Sequence, residues 1–295
     1  MRRTTAVLTG AALTALAFPL LMAAPPANAL AADPVAALKG RFKAGHGVRI
    51  VERAKLVGDG GNPRTVYGRV KGVLEFGPSG VVASDLTSSF ELPAEEGTPS
   101  EPFAPSRTVT VKGVSYTQGG VYAGSLPEGK KWLRSRDDVL SMTNPAQRLF
   151  NPLEPATLRA ALAHAGPGRP GGTLDGTRTV VRSGSFTLGE LYRISPSARA
   201  VLGAKPSAKS APLKVSWRLY LGADQLPRRA VSSYVQSVRG LTSVDVTYLN
   251  DTQYGGWGLR SALKAPSAAE VADFDELRIG DADPGNVSLN NLFTG

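Results

Sequence analysis

Residues Leu213 to Leu221 constrain the fold more than any other stretch of the chain. Leu213, Val215, Trp217, Leu219 and Leu221 alternate with Lys214, Ser216, Arg218 and Tyr220. A period of two puts one set on a buried face and the other in water, so the segment reads as a strand of a sheet with a single apolar side. Gly222-Ala223-Asp224-Gln225-Leu226-Pro227 supplies a turn. Two more strand patterns follow, at Ala230–Val235 and Val244–Leu249, and adjacent strands joined this closely pair antiparallel.

The first half repeats the theme. Val48–Val57 and Val66–Phe76 flank the turn-rich run Gly58-Asp59-Gly60-Gly61-Asn62-Pro63 and read as a hairpin, with Val81–Leu92 as a third strand. Pro93–Pro105, rich in Pro, Glu and Ser, reads as a loop. Val109–Val111 and Val114–Tyr116 form a tight hairpin around Lys112-Gly113, and Val121-Tyr122-Ala123 leads on to Gly129-Lys130-Lys131-Trp132-Leu133.

Helical signals are fewer. Asp33-Pro34 looks like an N-cap with proline in the first turn, followed by Val35, Leu38 and Phe42 until Gly45 and Gly47. Asn144-Pro145 and Glu154-Pro155 both resemble helix starts, the second running through Leu158, Ala161 and Leu162 to Gly166. After a Gly/Pro linker at 166–172, strand patterns resume at Thr177–Val181 and Ser185–Leu188. Ser195-Pro196 then caps a short helix ending near Gly203, and Lys205–Pro212 is a polar loop. Ser267-Ala268-Ala269-Glu270 has the form of a capping box, which predicts a last helix over about Ala268–Leu277. The fold class expected from this pattern is α+β, a curved antiparallel half-barrel sheet with helices covering its concave face.

The start of the chain reads as an export signal. Met1-Arg2-Arg3 precedes an apolar stretch from Ala6 to Ala24, and Ala27-Asn28-Ala29 is an A-x-A site. Pro19 breaks the apolar stretch, which separates it from a membrane span. Cleavage is placed after Ala29, with Ala31 as the alternative. Thr5 stands where a twin-arginine signal favours a large apolar residue, so Sec export is expected. The domain expectation is therefore a signal peptide at 1–29, one domain at 30–280 and a flexible tail at 281–295.

Loss of Arg2 and Arg3 with the signal lowers the formal charge from +10 to about +8. The chain has no cysteine. It must rest on its core rather than on disulfides, and it offers no thiol for a lipid anchor. The expected location is secreted or envelope-associated, without a lipid anchor. Lysines and arginines are spread from Lys39 to Arg278, and the sequence carries no nucleic-acid-binding motif, so nucleic acid is not expected as a partner. Weak contact with an anionic membrane surface suits the charge better.

Catalytic patterns are sparse. His46 lies beside glycines in a turn and His164 near a helix end, and H-E-x-x-H, G-x-S-x-G and phosphate-binding glycine loops do not occur. Ser261-Ala262-Leu263-Lys264 matches S-x-x-K without its S-D-N and K-T-G companions and reads as strand alternation. Asp281-Ala282-Asp283-Pro284-Gly285-Asn286 resembles the start of a calcium loop but lacks the closing glutamate. Asp273, Asp275 and Glu276 are distributed around the expected last helix and do not indicate a glycosidase pair. No enzyme, metal or cofactor is expected from these residues.

Several segments together resemble the LolA/LppX-like lipoprotein-carrier superfamily of bacterial envelopes. They are Gly120-Val121-Tyr122 with Gly129-Lys130-Lys131-Trp132-Leu133, Leu174-Asp175-Gly176-Thr177-Arg178-Thr179, Trp217, Asp224-Gln225-Leu226-Pro227-Arg228, and Tyr254-Gly255-Gly256-Trp257-Gly258 with Ala265-Pro266. Gln225 stands where the family's turn often has glycine, and the family's lipobox cysteine is missing. The resemblance spans about residues 33 to 277. It implies a half-open antiparallel barrel over helices, with an apolar cavity for acyl chains or lipidated partners.

Two readings follow. In the first, the protein is a non-enzymatic carrier of a hydrophobic or acylated ligand, held by Val70, Leu74, Val215, Trp217, Leu219, Val244 and Val246 on the apolar face. In the second, it is a secreted structural or interaction protein whose own side chains fill the same space.

Overall fold

The computed structural model describes residues 33–58, 65–91, 104–135, 144–145, 148–239 and 243–277. The expectations for 1–29, 93–103 and 281–295 lie outside these residues.

One curved, open sheet dominates. Its first half is a meander of β1 (His46–Gly58), β2 (Thr65–Gly77), β3 (Gly80–Glu91), β4 (Ser106–Val111), β5 (Val114–Gly119) and β6 (Trp132–Ser135). A second meander comprises β7 (Arg169–Leu174), β8 (Thr177–Thr187), β9 (Lys214–Gly222), β10 (Pro227–Arg239) and β11 (Ser243–Arg260). Antiparallel pairing of β11 with β1, in which Thr252 faces Glu52 and Asn250 faces Ala54, joins the meanders. A two-residue strand, β12 (Val271–Ala272), lies parallel to β6 at one edge, and β7 forms the other.

The hairpins follow local chemistry. At the β4–β5 turn Lys112 and Gly113 have φ of 52° and 75°, the positive values that a two-residue turn needs to match strand twist. The expected hairpin of β1 and β2, the third strand and the β9–β10–β11 series are all present, with β11 extending past Leu249 through the Tyr254–Gly258 segment to Arg260.

Four α-helices occur among the described residues: α1 (Pro34–Lys39), α2 (Pro155–His164), α3 (Leu188–Ile194) and α4 (Pro196–Leu202). Asp33 Oδ1 caps α1 by accepting from the Val35 amide at 2.9 Å, and the helix stops at Gly40, earlier than its apolar spacing suggests. Ser195 Oγ accepts from the Ala198 amide at 3.0 Å and caps α4. Val35, Leu38, Leu158, Ala161, Leu191 and Ala198 from these helices share one buried cluster with strand residues such as Ile50, Leu74, Val215 and Leu219.

Several local readings are corrected. The stretch 166–172 is not all linker: Arg169 starts β7, because β8 offers it an open edge. Thr177–Val181 and Ser185–Leu188 belong to one strand, β8, which ends at Thr187. There a reciprocal capping box with Glu190 starts α3, with the Thr187 amide donating to Glu190 Oε2 at 2.7 Å. Asn144 and Pro145 are not helical. Ser261–Lys264 lies beyond the end of β11, and Ser261 Oγ donates to Glu75 Oε2 at 2.8 Å.

The last expected helix does not form. Its residues make two separate turns of 3-10 helix, Ala268–Glu270 and Phe274–Glu276, and the Ser267 side chain caps nothing. The edge of β6 competes for the same chain. Val271 and Ala272 pair with Trp132 and Leu133, and the Lys131 amide donates to the Glu270 carbonyl at 2.8 Å. Arg134 Nε adds a bond to Asp273 Oδ1 at 2.6 Å. An unpaired strand edge outweighs a weak local helix signal here.

Candidate ligand-binding face

Alternation along the central strands assigns the buried face residue by residue. On β1 it takes Val48, Ile50, Glu52 and Leu56, and on β2 Val66, Val70 and Leu74. On β9 it takes Val215, Trp217, Leu219 and Leu221. Strand register then lays these positions in rows across the sheet. One row runs Leu219, Ala230, Thr252, Glu52, Val70 and Ser88.

Of the residues expected to touch a ligand, Val70, Leu74, Val215, Trp217 and Leu219 are buried in the main cluster. Val246 is also buried, but it belongs to a second cluster with Leu56 and Val66. The side chain of Val244 lies outside the described residues. The apolar face is thus divided into two zones.

A polar belt lies between them. Glu52 is fully buried in mid-strand, and Arg148 donates to it through Nε, at 3.1 Å to Oε1, and through Nη2. Thr252 Oγ1 donates to Glu52 Oε2 at 2.5 Å. Ser88, Ser232 and Asn250 are buried in the same belt, and Tyr234 stacks on Tyr248 with ring centroids 4.8 Å apart. Desolvation disfavours the Arg148 charge, but the attraction and hydrogen bonds of Glu52 outweigh it and hold the guanidinium more firmly protonated than usual. Burial pushes the hydroxyls of Tyr234, Tyr248 and Tyr254 up from the ordinary tyrosine range, so all three are neutral at physiological pH.

Arg148 arrives on a segment of non-helical chain. Leu149, Phe150 and Leu153 of that segment are buried in the main cluster. It is fastened at its far end by Glu154, which accepts from Ser195 Oγ at 2.6 Å, Thr157 Oγ1 at 2.8 Å and the Ser197 amide at 2.7 Å. Ser197 Oγ donates to the Arg148 carbonyl at 2.9 Å. One half-buried acid thus ties the segment to the starts of α2 and α4.

Phe150 stacks on Trp217 with centroids 5.3 Å apart and planes 14° from parallel, and Phe186 lies against the same indole at 6.0 Å. Gly184, directly opposite Trp217 on β8, leaves room for the ring: a Cβ there would lie 2.7 Å from Trp217 Cζ2. Among the described residues the buried Trp217 indole N–H has no hydrogen-bond partner. Buried donors are nearly always satisfied, so an unmet one marks a place where an acceptor would gain.

The histidines sit apart from the belt. His46 opens β1, with Nδ1 at 3.1 Å from the Ala44 carbonyl, and His164 ends α2 with its ring 5.6 Å from that of Phe186. Among the described residues no group of three or more His, Cys, Asp or Glu side chains is arranged to hold a metal ion. No helix among them is long and apolar enough to cross a membrane.

Sequence reasoning missed Glu52, Arg148 and Thr252. A signal for Glu52 existed: it has the parity of Val48, Ile50 and Leu56, so a carboxylate stood in an apolar row. Nothing local marked Arg148, whose partner is 96 positions away.

No family model matches the chain, and no curated protein matches it. Solved structures similar to it include lipovitellin, studied for its lipid–protein interactions, at 10% identity and a TM-score of 0.35; the match covers 77% of this chain and 27% of that one. A LolA superfamily protein from Nitrosomonas europaea is similar at 10% identity and a TM-score of 0.24, over 79% of this chain and 94% of that one. A DUF1329 family protein from Desulfovibrio piger is similar at 11% identity and a TM-score of 0.24, over 80% of this chain and 93% of that one.

Proposed function

We propose that the protein is a non-enzymatic, exported carrier of a hydrophobic or acylated ligand, which lies along the inner face of the sheet. The observation that carries this reading is the inner face itself, with two apolar zones separated by a buried polar belt. Such a surface suits a molecule with an apolar chain and a polar group: chain burial contributes about 25 cal/mol per Å², and a few fixed polar groups set orientation. In this reading α1 to α4 and residues 148–153 cover the concave side, Phe150 yields its place on Trp217 to the ligand, and the free indole N–H meets a ligand oxygen. The chain works outside the cytoplasmic membrane without a lipid anchor.

A second reading is favoured by the Phe150–Trp217–Phe186 stack, which occupies part of the face with the protein's own rings. Here the core is filled and the protein is a structural or interaction module. Mass spectrometry of organic extracts from native protein, with titration of a fluorescent fatty acid, separates the two. A co-purifying lipid and saturable uptake are expected for the carrier. Clean extracts with no saturable uptake leave the filled-core reading standing.

A further inference from the structure

The outer face of the β1–β2 hairpin gathers positive charge that the sequence spreads thinly. Arg49, Arg53 and Lys55 on β1 share the face opposite to Glu52, as do Arg69 and Lys71 on β2. Arg53 and Arg69 stand directly across from each other, an arrangement that destabilises a sheet unless something else compensates. Local carboxylates are already engaged. Glu75, on the same face, accepts from Ser261 Oγ and the Leu263 amide, both at 2.8 Å. Asp251, opposite Arg53 on β11, holds Arg229 through two bonds of 2.7 and 2.6 Å. Arg69 pairs with Glu91 at 2.8 Å, and both side chains are more than half exposed. Among the described residues Arg49, Arg53 and Lys71 have no carboxylate within ion-pair distance.

Exposed apolar side chains lie among these cations. Val51 (47% exposed) is flanked by Arg49 and Arg53 along β1 and faces Lys71 across β2. Tyr67 (44%) and Leu249 (40%) face Lys55 from either side, with the Lys55 ammonium 5.8 Å from the tyrosine ring. Val235 (45%) continues the patch on β10.

We propose that this face docks on an anionic phospholipid bilayer. Phosphate headgroups supply the negative charge that Arg49, Arg53 and Lys71 lack, and valine, leucine and tyrosine side chains settle into the headgroup boundary. A soluble polyanion would satisfy the cations but give the apolar side chains nothing. The inference concerns the outer face and does not depend on whether a ligand occupies the inner one.

The test is co-sedimentation of the purified protein with phosphatidylcholine vesicles, with and without phosphatidylglycerol, at low and physiological salt. Binding is expected only with phosphatidylglycerol, and weaker as salt rises. Each cation near the surface is worth about fivefold in affinity, so Arg53→Glu with Lys71→Glu should lower binding about 25-fold or more. Lys205→Glu with Lys209→Glu, exposed in the loop before β9, changes net charge equally and should leave most of the binding intact. Tyr67→Ser should weaken vesicle binding while leaving retention on polyphosphate unchanged. If circular dichroism shows the Glu variants unfolded, Arg53→Gln with Lys71→Gln carries the same test with a smaller loss. Equal losses from the hairpin and loop pairs, equal sedimentation with both vesicle types, or a Tyr67→Ser variant that binds vesicles like the wild type would overturn the proposal.

Discussion

Arg148 reaches Glu52 across 96 positions of sequence, donating from Nε at 3.1 Å, and the two side chains are 9% and 0% exposed. The pair fixes the segment that carries Phe150 to the middle of the sheet. Removing one partner leaves a buried charge uncompensated, so Arg148→Met should destabilise the protein by about 3–5 kcal/mol. The double variant Glu52→Gln with Arg148→Met should recover much of that loss. Urea denaturation of the wild type, both single variants and the double variant measures the coupling, and additive losses would show that the pair does not act as a unit.

Trp217 is 2% exposed and packed against Phe150 and Phe186, so Trp217→Ala should cost about 3–5 kcal/mol. Gly184→Ala tests the same contact from the other side. Its methyl group would fall within 2.7 Å of the indole, and overpacking of this kind costs about 1–3 kcal/mol. Thermal denaturation measures the loss, and a red-shifted tryptophan emission should report the displaced ring. An unaltered melting temperature for Gly184→Ala would contradict the packing described.

At the β4–β5 turn, Lys112 holds a φ of 52° that a lysine adopts reluctantly and an asparagine readily. Lys112→Asn should stabilise the protein by a few tenths of a kcal/mol to about 1 kcal/mol. The midpoint of urea unfolding should rise with an unchanged slope.

Alkaline pH should unfold the protein through its buried tyrosines. Burial raises the folded-state values of Tyr234 and Tyr254 above the unfolded value of about 10. The unfolded chain therefore releases these protons first. Their contribution is fully present below pH of about 10 and declines as pH rises toward the folded values. The tyrosinate absorbance that the wild type shows and Tyr234→Phe lacks should appear together with loss of circular dichroism, and Tyr234→Phe should flatten the decline. A Tyr234 contribution to that absorbance well before unfolding would refute the burial argument.

Binding of an acyl probe should fall when Val246→Asp places a charge in the smaller apolar zone. Val246 is fully buried, so circular dichroism must show a folded variant before the loss is read. Leu56→Ala in the same zone offers a milder substitution, and full probe affinity in both folded variants would remove this zone from the site.

Apart from β7, read as linker, and the unbroken run of β8, the sequence by itself determined the main strands of both meanders, because alternation and turn chemistry are short-range. The parity of Val215, Trp217 and Leu219 was enough to place them on the buried face, and Asp33 and Ser195 announced their helices by direct capping. Tertiary structure decided what depends on partners distant in the chain. The β6 edge turned an expected helix at 268–277 into a short strand between two turns, since pairing it satisfied backbone groups that a weak helix would have left open. The pairing of β11 with β1 placed Thr252 beside Glu52, and Arg148 closed the belt that divides the apolar face. The cations at Arg49, Arg53, Arg69 and Lys71 looked dispersed along the chain and became one surface only when strand register set them side by side, because charge density is a property of space and not of sequence order.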